Sequence, residues 1–516
     1  MKKELRRLSL VSLLGFFALT SCSRDTITPD NGGGGGSVTV KAENDFVWKG
    51  LNSWYYWQKN DNKPNYLDDN FKNSTEYANY LNSRPTDKLF YDLLYQYLTI
   101  DRFSWIENNG VIQEKALVSL NASTKSSGLN YSIFRIDDTG GLIGLVNYII
   151  PGSPADQQGI KRGDAITMIN GSKLNVSNYG SLQNDTYTIT VEKATRDDKN
   201  LIVLSNARNV SLSKVDIDEN PVAYYKMYTM GGKNIGYLVY NGFKADFNGE
   251  LNDAFAKMKQ DNITELILDL RYNGGGSVET AVALGEMITG QTNKPYVSLI
   301  FNSKHTNQNE TWTMKSTVPL YAKGNTRVPI NDGVPINTLG NIKKVHFLTT
   351  KGTASASELT IDALRAYIDV FTIGETTYGK FVGSITLYDS PNNDYTSYDN
   401  RNKSHNWTMQ PIVFGYWNSR NDQHPPNGAG ISPDYAMDAS TYFGRIKDFG
   451  DTSDPALAKA LEQISGQKPL AKMLSASIGK VSLTLPSESR MTFIGSNKTL
   501  TPFGTDAHIN NFEKKK

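Results

Sequence analysis

The spacing of apolar residues changes character three times along this 516-residue chain, and each change predicts a different kind of element. Between about 44 and 107 the apolar positions recur at helical spacing and are mostly aromatic, with Trp48, Trp54, Tyr55, Trp57, Tyr77 and Tyr80 among them. Phe90, Leu93, Leu94 and Tyr97 fall on one face of a helix. This predicts a small aromatic helical bundle, followed by Asp101-Arg-Phe-Ser-Trp105. From about 128 to 213 the chain turns to short strands: an apolar run at 145–150, another at 165–169, and strict alternation at 186–192. From about 216 to 466 the strands are continuous apolar runs at 234–240, 265–270, 344–349 and 369–374, separated by helical patterns at 251–260, 278–287 and 357–367. Continuous rather than alternating runs point to a sheet buried on both faces and partly parallel. Past 467 only a strand-like stretch at 481–485 and a polar, lysine-ended tail remain.

The first 43 residues are of another kind. A basic start, Met1-Lys-Lys-Glu-Leu-Arg-Arg7, precedes a short apolar run at 8–19 and then Leu19-Thr-Ser-Cys22. This resembles a bacterial lipoprotein signal, which implies that residues 1–21 are removed and Cys22 carries the lipid. The run is too short for a comfortable membrane span. Residues 22–43 include Gly32 to Gly36 and read as a flexible linker. Cys22 is the only cysteine, so no disulfide or thiolate metal site is open to the rest of the chain. A net charge of +2 lacks the basic signature of a nucleic-acid binder. The resulting division is 1–21 signal, 22–43 linker, 44–115 helical domain, 120–213 strand-rich domain, 214–466 α/β core and 467–516 C-terminal extension.

The strand-rich part carries Pro151-Gly-Ser-Pro-Ala155, then Gly159-Ile-Lys-Arg-Gly-Asp164 and Asn170-Gly171. This order resembles a PDZ domain, which captures a peptide by strand addition and holds its terminal carboxylate on backbone N–H groups. The glycine-rich turn before the apolar strand, with Gly141, Leu142, Ile143 and Gly144, is the expected carboxylate loop.

Chemistry gathers in the α/β part at two strand-to-helix turns. One is Arg271-Tyr-Asn-Gly-Gly-Gly276 and the other Gly352-Thr-Ala-Ser-Ala-Ser-Glu358. Ligand sites of α/β sheets lie at the carboxyl ends of the strands, and N–H groups at a helix start suit an oxyanion. Ser355, flanked by alanines, is the expected nucleophile; Ser357 reads as the first turn of the helix. A serine hydroxyl needs a base. The next strand leads to Tyr378-Gly-Lys-Phe-Val-Gly383, whose Lys380 can serve if burial holds it neutral. Ala356 N–H and an N–H of the glycine turn, Gly274 or Gly275, are the expected oxyanion donors. Five histidines exist and none sits in a triad motif, with His346 inside an apolar strand. No metal-ligand spacing occurs, no cofactor is called for, and the glycine turn lacks the lysine and hydroxyl of a phosphate loop. Taken singly, either turn reads as a tight structural connection.

Together they carry a resemblance. Asp269-Leu-Arg-Tyr-Asn-Gly-Gly-Gly276, Thr353-Ala-Ser-Ala-Ser-Glu358, Gly374-Glu-Thr-Thr-Tyr-Gly-Lys380 and Gly428-Ala-Gly-Ile-Ser-Pro-Asp434 resemble the motifs of the C-terminal processing peptidases of Ser-Lys type. The resemblance implies a multidomain α+β protein: an N-terminal helical domain, a PDZ-like domain and an α/β core of the ClpP/crotonase-like kind. It implies a serine endopeptidase acting near the C-termini of proteins or peptides through Ser355 and Lys380, lipid-anchored in the bacterial envelope, with the outer membrane the expected site. Two positions depart. Ser384 stands where the family often has a lysine-orienting glutamine, and Ala366 where some members have aspartate; Ser384 or Glu375 is the expected substitute. The alternative is a catalytically silent, lipid-anchored peptide-binding protein of the same fold.

Overall fold

The computed structural model describes residues 39–108, 124–422, 424–425, 428–469, 481–485, 491–500, 505 and 507–508. The signal, Cys22 and most of the linker lie outside the described residues. Among the described residues no helix is long and apolar enough to cross a membrane.

Helices α1 (Ala42–Trp54) and α2 (Thr86–Leu93) supply the aromatic part. Rather than closing a core of their own, Trp48, Leu51, Trp54, Leu89 and Phe90 join one hydrophobic cluster with Leu238, Leu266, Leu268, Val345 and Phe347 of the α/β sheet. Trp54 stacks on His305 at 3.6 Å, and Asn302 Nδ2 donates to Ser53 O and Tyr55 O. The aromatic helices are therefore a layer on the sheet.

The strand-rich module contains β1 (Leu129–Arg135), β2 (Leu142–Ile149), β3 (Asp164–Ile169), β4 (Thr186–Arg196) and β5 (Ile202–Ser213). Between β2 and β3 the one-turn helix Pro154–Gln157 is capped by Ser153, with proline at its start. The strands run in the order β5-β4-β3-β2-β1. Two strands of the C-terminal extension complete this sheet, Val481–Leu485 on β5 and Thr492–Ser496 on β1. The strand-like stretch at 481–485 and a second strand at 492–496 thus pair with both outer strands of this module.

The core sheet runs β6 (Val222–Met230), β7 (Lys233–Tyr240), β8 (Glu265–Asp269), β9 (Lys344–Thr349), β10 (Asp369–Gly374) and β11 (Tyr435–Ala436). Only the β6–β7 pair is antiparallel. Side chains alternate across such a sheet. Leu238, Leu266 and Phe347 meet α3 (Asn248–Gln260), α4 (Val278–Thr289) and α5 (Ala356–Leu364) on one face. Tyr237, Ile267, Leu348 and Ile373 meet Leu457, Leu461 and Ile464 of α6 (Pro455–Ser465) on the other. With both faces covered, each fully buried Leu or Ile contributes about 1.5–3 kcal/mol, which is why these runs are continuous.

A second sheet lies beside the turns, in the order Gly276–Ser277, Ala507–His508, Val382–Ser384, Ile412–Asn418, Pro295–Phe301, Glu310–Thr313. The module and the core are joined by charge. Arg162 faces Asp454 at 3.6 Å, both side chains nearly inaccessible, and Asp454 also takes Arg271 Nη1 at 3.0 Å.

Candidate active site

β9 ends at Thr349, and the chain turns so that Ser355 begins α5 with φ 61° and ψ −114°. A non-glycine residue held at such φ costs about 1–3 kcal/mol and persists where the surroundings over-determine it. Ser355 is buried, and among the described residues its Oγ is one of the buried side-chain atoms without a hydrogen-bond partner. Ser357 Oγ, by contrast, donates to Asn273 O at 3.0 Å.

Gly275 shows what the other turn is for. It has φ 110°, and a Cβ there would lie 2.8 Å from Ser355 Cβ and 3.0 Å from Ala356 N. The glycine turn thus rests against the serine with no room for a side chain. Asn273 ties the turns together: Nδ2 donates to Tyr240 O, and its carbonyl accepts from Ala354 N. Its Oδ1 accepts from Gly275 N at 2.9 Å. Of the expected oxyanion donors, Gly275 N–H is therefore engaged within its own turn. Ala356, at the first helical position, has an N–H the helix leaves over, and Gly274 is the remaining donor of the glycine turn.

Glu358 joins the serine to the lysine. Its Oε2 accepts from both Ser355 N and Lys380 N, each at 2.8 Å. Its Oε1 accepts from Gly379 N at 2.6 Å and from Thr377 Oγ1. Two main chains 25 positions apart thus meet on one carboxylate oxygen. Burial pushes the Glu358 pKa up, while these four donors pull it back. Tyr416 OH lies within hydrogen-bond reach of Ser355 O, 3.0 Å, and Lys380 O, 2.7 Å.

Lys380 is 1% exposed, and its Nζ stands 5.1 Å from the centre of the Phe103 ring. Gly379, at φ 90°, allows Gly428 to approach: a Cβ would fall 1.9 Å from Gly428 O. Arg102 bridges Tyr378 O and Gly428 O. Asp101 fixes this loop by accepting from Phe103 N, Ser104 N and Tyr55 OH. The late Gly428–Asp434 motif acts through structure, since Asp434 accepts from Thr372 N and Oγ1 on β10.

Ser384 is buried, with its Oγ accepting from Gln410 Nε2 at 3.0 Å. Gln410 Oε1 in turn accepts from Thr386 Oγ1. Glu375 faces the serine turn through Lys351, and burial pushes its pKa to about 7. His346 is enclosed in β9, where burial pushes its pKa down to about 4.

The expected carboxylate loop is corrected by the pairing. Gly140 and Gly141 form a hairpin turn fixed by Asp137 Oδ1, which accepts from Thr139 N and Gly141 N. Leu142, Ile143 and Gly144 belong to β2, paired with β1 on one side. On the other, Gly144 pairs with Ile166 and Leu142 N donates to Leu174 O. The turn borders a cleft of about 890 Å³ lined by Leu142, Thr167, Met168 and Leu174, but strand addition needs an unpaired edge and Leu142–Gly144 offer none.

Phe103, Glu358 and Tyr416 are the site residues missed by sequence reasoning. The Asp101–Trp105 stretch stood out, yet nothing local ties it to a lysine 277 positions later.

Residues 234–437 match the model of peptidase family S41, and residues 145–184 that of the PDZ domain. A probable CtpA-like serine protease of Staphylococcus aureus is 27% identical over 307 residues, 58% of this chain and 51% of that protein. Its counterpart in Staphylococcus saprophyticus is 26% identical over 241 residues, 45% of this chain and 41% of that protein. The chain spans about half the length of the curated relatives it matches. A putative S41 protease of Bacteroides fragilis shares the fold, with TM-score 0.59 and 22% identity over 81% of this chain and 97% of that one. The resemblance to the C-terminal processing peptidases is borne out: residues 234–437 match peptidase family S41, behind a PDZ-domain match at residues 145–184.

Proposed function

We propose that this chain is a serine endopeptidase that cleaves proteins or peptides near their C-termini, with Ser355 as nucleophile and Lys380 as base. The observation that carries the reading is the single oxygen of Glu358 that holds Ser355 N and Lys380 N together, beside a serine whose Oγ is unengaged among the described residues. Ser355 Oγ attacks the scissile carbonyl as its proton passes to Lys380 Nζ. The oxyanion forms against Ala356 N–H and Gly274 N–H. The lysine ammonium then protonates the leaving amine. Water, deprotonated by the same Nζ, hydrolyses the acyl-serine. The PDZ domain captures the tail to be cut. Ser384 and Gln410 stand behind the lysine strand as its support. Cys22 carries a lipid that anchors the protein in the cell envelope, with the outer membrane the proposed site.

The test is cleavage of an unfolded protein with an apolar C-terminus by the wild type, Ser355→Ala and Lys380→Ala. Cleavage by the wild type that both substitutions reduce to background is expected. Equal inertness of all three on a broad peptide library favours the silent peptide-binding reading.

A further inference from the structure

A peptide that adds to a PDZ domain needs an open strand edge. The outer edge of β1 lies beside the helical turn Tyr179–Gln183, and it is already filled. Thr492–Ser496 pairs antiparallel with β1, Thr492 opposite Arg135, Phe493 opposite Phe134, Gly495 opposite Ile133 and Ser496 opposite Ser132. The next residue extends the pairing: Asn497 N donates to Tyr131 O at 3.1 Å, and Tyr131 N donates to Asn497 Oδ1 at 3.2 Å. Ile494 enters the cluster formed by Leu129, Tyr131, Ile133 and Leu182, alongside Tyr179. Phe493 goes to the opposite face, where its ring meets Phe134 at 5.8 Å. This is the pattern of a bound ligand: main-chain bonds along one strand and a side chain in an apolar pocket.

The same segment reaches the catalytic turns. Lys498 Nζ donates to Tyr272 O at 2.9 Å and to Asn241 O, so it holds the carbonyl just ahead of Asn273 and Gly274. Farther on, Ala507–His508 lies between Gly276–Ser277 and the Val382–Ser384 strand that follows Lys380. Gly276 directly follows the glycine that abuts Ser355. An extended substrate strand passing between serine and lysine would meet these two edges.

We propose that the C-terminal extension is a resident pseudosubstrate: Thr492–Ser496 occupies the peptide slot of the PDZ domain, and Ala507–His508 occupies a strand position beside the catalytic turns. The ligand class of the slot is an extended peptide with an apolar side chain at the position of Ile494, and incoming tails displace the resident strand. The catalytic half of this proposal rests on the peptidase reading above; the slot half does not.

The test uses a soluble chain from residue 23, which omits Cys22 and its lipid, with Ser355→Ala, so that no peptide is consumed. The probe is a fluorescein-labelled peptide of residues 491–497, Met-Thr-Phe-Ile-Gly-Ser-Asn. Ile494→Asp, which frees the slot, is expected to bind the probe at least tenfold more tightly than the chain with Ile494. As a second variant, Ser132→Cys with Ser496→Cys places cysteines at register partners. Its oxidised form is expected to bind at least tenfold more weakly than its reduced form, with reversal by dithiothreitol. Should Ile494→Asp fail to fold, this redox pair carries the test alone. Equal binding by oxidised and reduced forms overturns the proposal. With Ser355 present, Ile494→Asp is expected to raise kcat/KM severalfold. Slot binding that changes as described, in chains that cleave nothing, keeps the slot half and removes the peptidase reading.

Discussion

The two strand-to-helix turns share one plan and are braced by opposite means. After β8, the glycine turn is held by ion pairs: Arg271, 1% exposed, meets Asp269 at 2.6 Å and Asp454 at 3.0 Å, and Tyr237 OH donates to Asp269. Pairing with Arg271 holds the Asp269 carboxyl below its ordinary pKa although burial opposes it. After β9, the serine turn is held by carboxylates that meet mainly N–H and hydroxyl donors: Glu358 with its four and Glu375 with Lys351. Burial raises the pKa of both. The difference separates rigidity from tuning. The ion-paired turn offers a fixed wall, while the carboxylate-braced turn responds to protonation.

Breaking the fixed wall has the largest expected effect. Arg271→Met leaves the Asp269 carboxylate buried without its guanidinium and Asp454 with Arg162 alone, and is expected to cost about 3–5 kcal/mol, read as a lower denaturation midpoint. Gly275→Ala puts a methyl group 2.8 Å from Ser355 Cβ and forces alanine to φ 110°. A loss of more than about 1 kcal/mol is expected, with peptidase activity reduced to background. Glu358→Gln keeps one acceptor oxygen and turns an NH₂ toward two N–H or O–H donors. It is expected to cost about 1–3 kcal/mol and to lower kcat more than it changes KM.

Protonation sharpens the contrast. The folded pKa of Glu375, about 7, lies above its ordinary value of 4.5. The folded chain therefore binds more protons between these values. Its stabilising share is complete below pH 4.5 and is lost as pH rises through 7. Glu375→Gln is expected to flatten this part of the Tm–pH curve; an unchanged slope assigns it to other groups. The smallest effect belongs to Ser384→Ala, which leaves Gln410 Nε2 without its acceptor. About 1 kcal/mol of stability and a few-fold fall in kcat are expected, and full activity removes Ser384 from the support of Lys380.

Much of this was legible in residue order. The runs at 344–349 and 369–374 are the strands β9 and β10, because strands covered on both faces by helices are apolar at consecutive rather than alternate positions. Ser355 was separable from Ser357 because the residue at the start of the helix and the one within its first turn have different geometry. The PDZ loop was misplaced because Gly140 and Gly141 before an apolar strand look alike whether they cradle a carboxylate or turn a hairpin; only the pairing of β2 on both sides separates these. Glu358 lies in the first turn of its helix, but its partners Thr377, Gly379 and Lys380 come from the loop after β10. Phe103 and the strand at 492–496 depend on neighbours hundreds of positions away, and their own polar or aromatic surroundings carry no trace of them.

Asp454 carries guanidinium groups from two modules, Arg162 of the PDZ domain and Arg271 of the core. In the terms of recombination, the PDZ domain is not an interchangeable cassette. A chimera that brings a PDZ domain without an arginine at the place of Arg162 inherits an aspartate balanced for two cations and supplies one. Domain exchange in this protein therefore succeeds when the arginine travels with the module and its aspartate stays with the core.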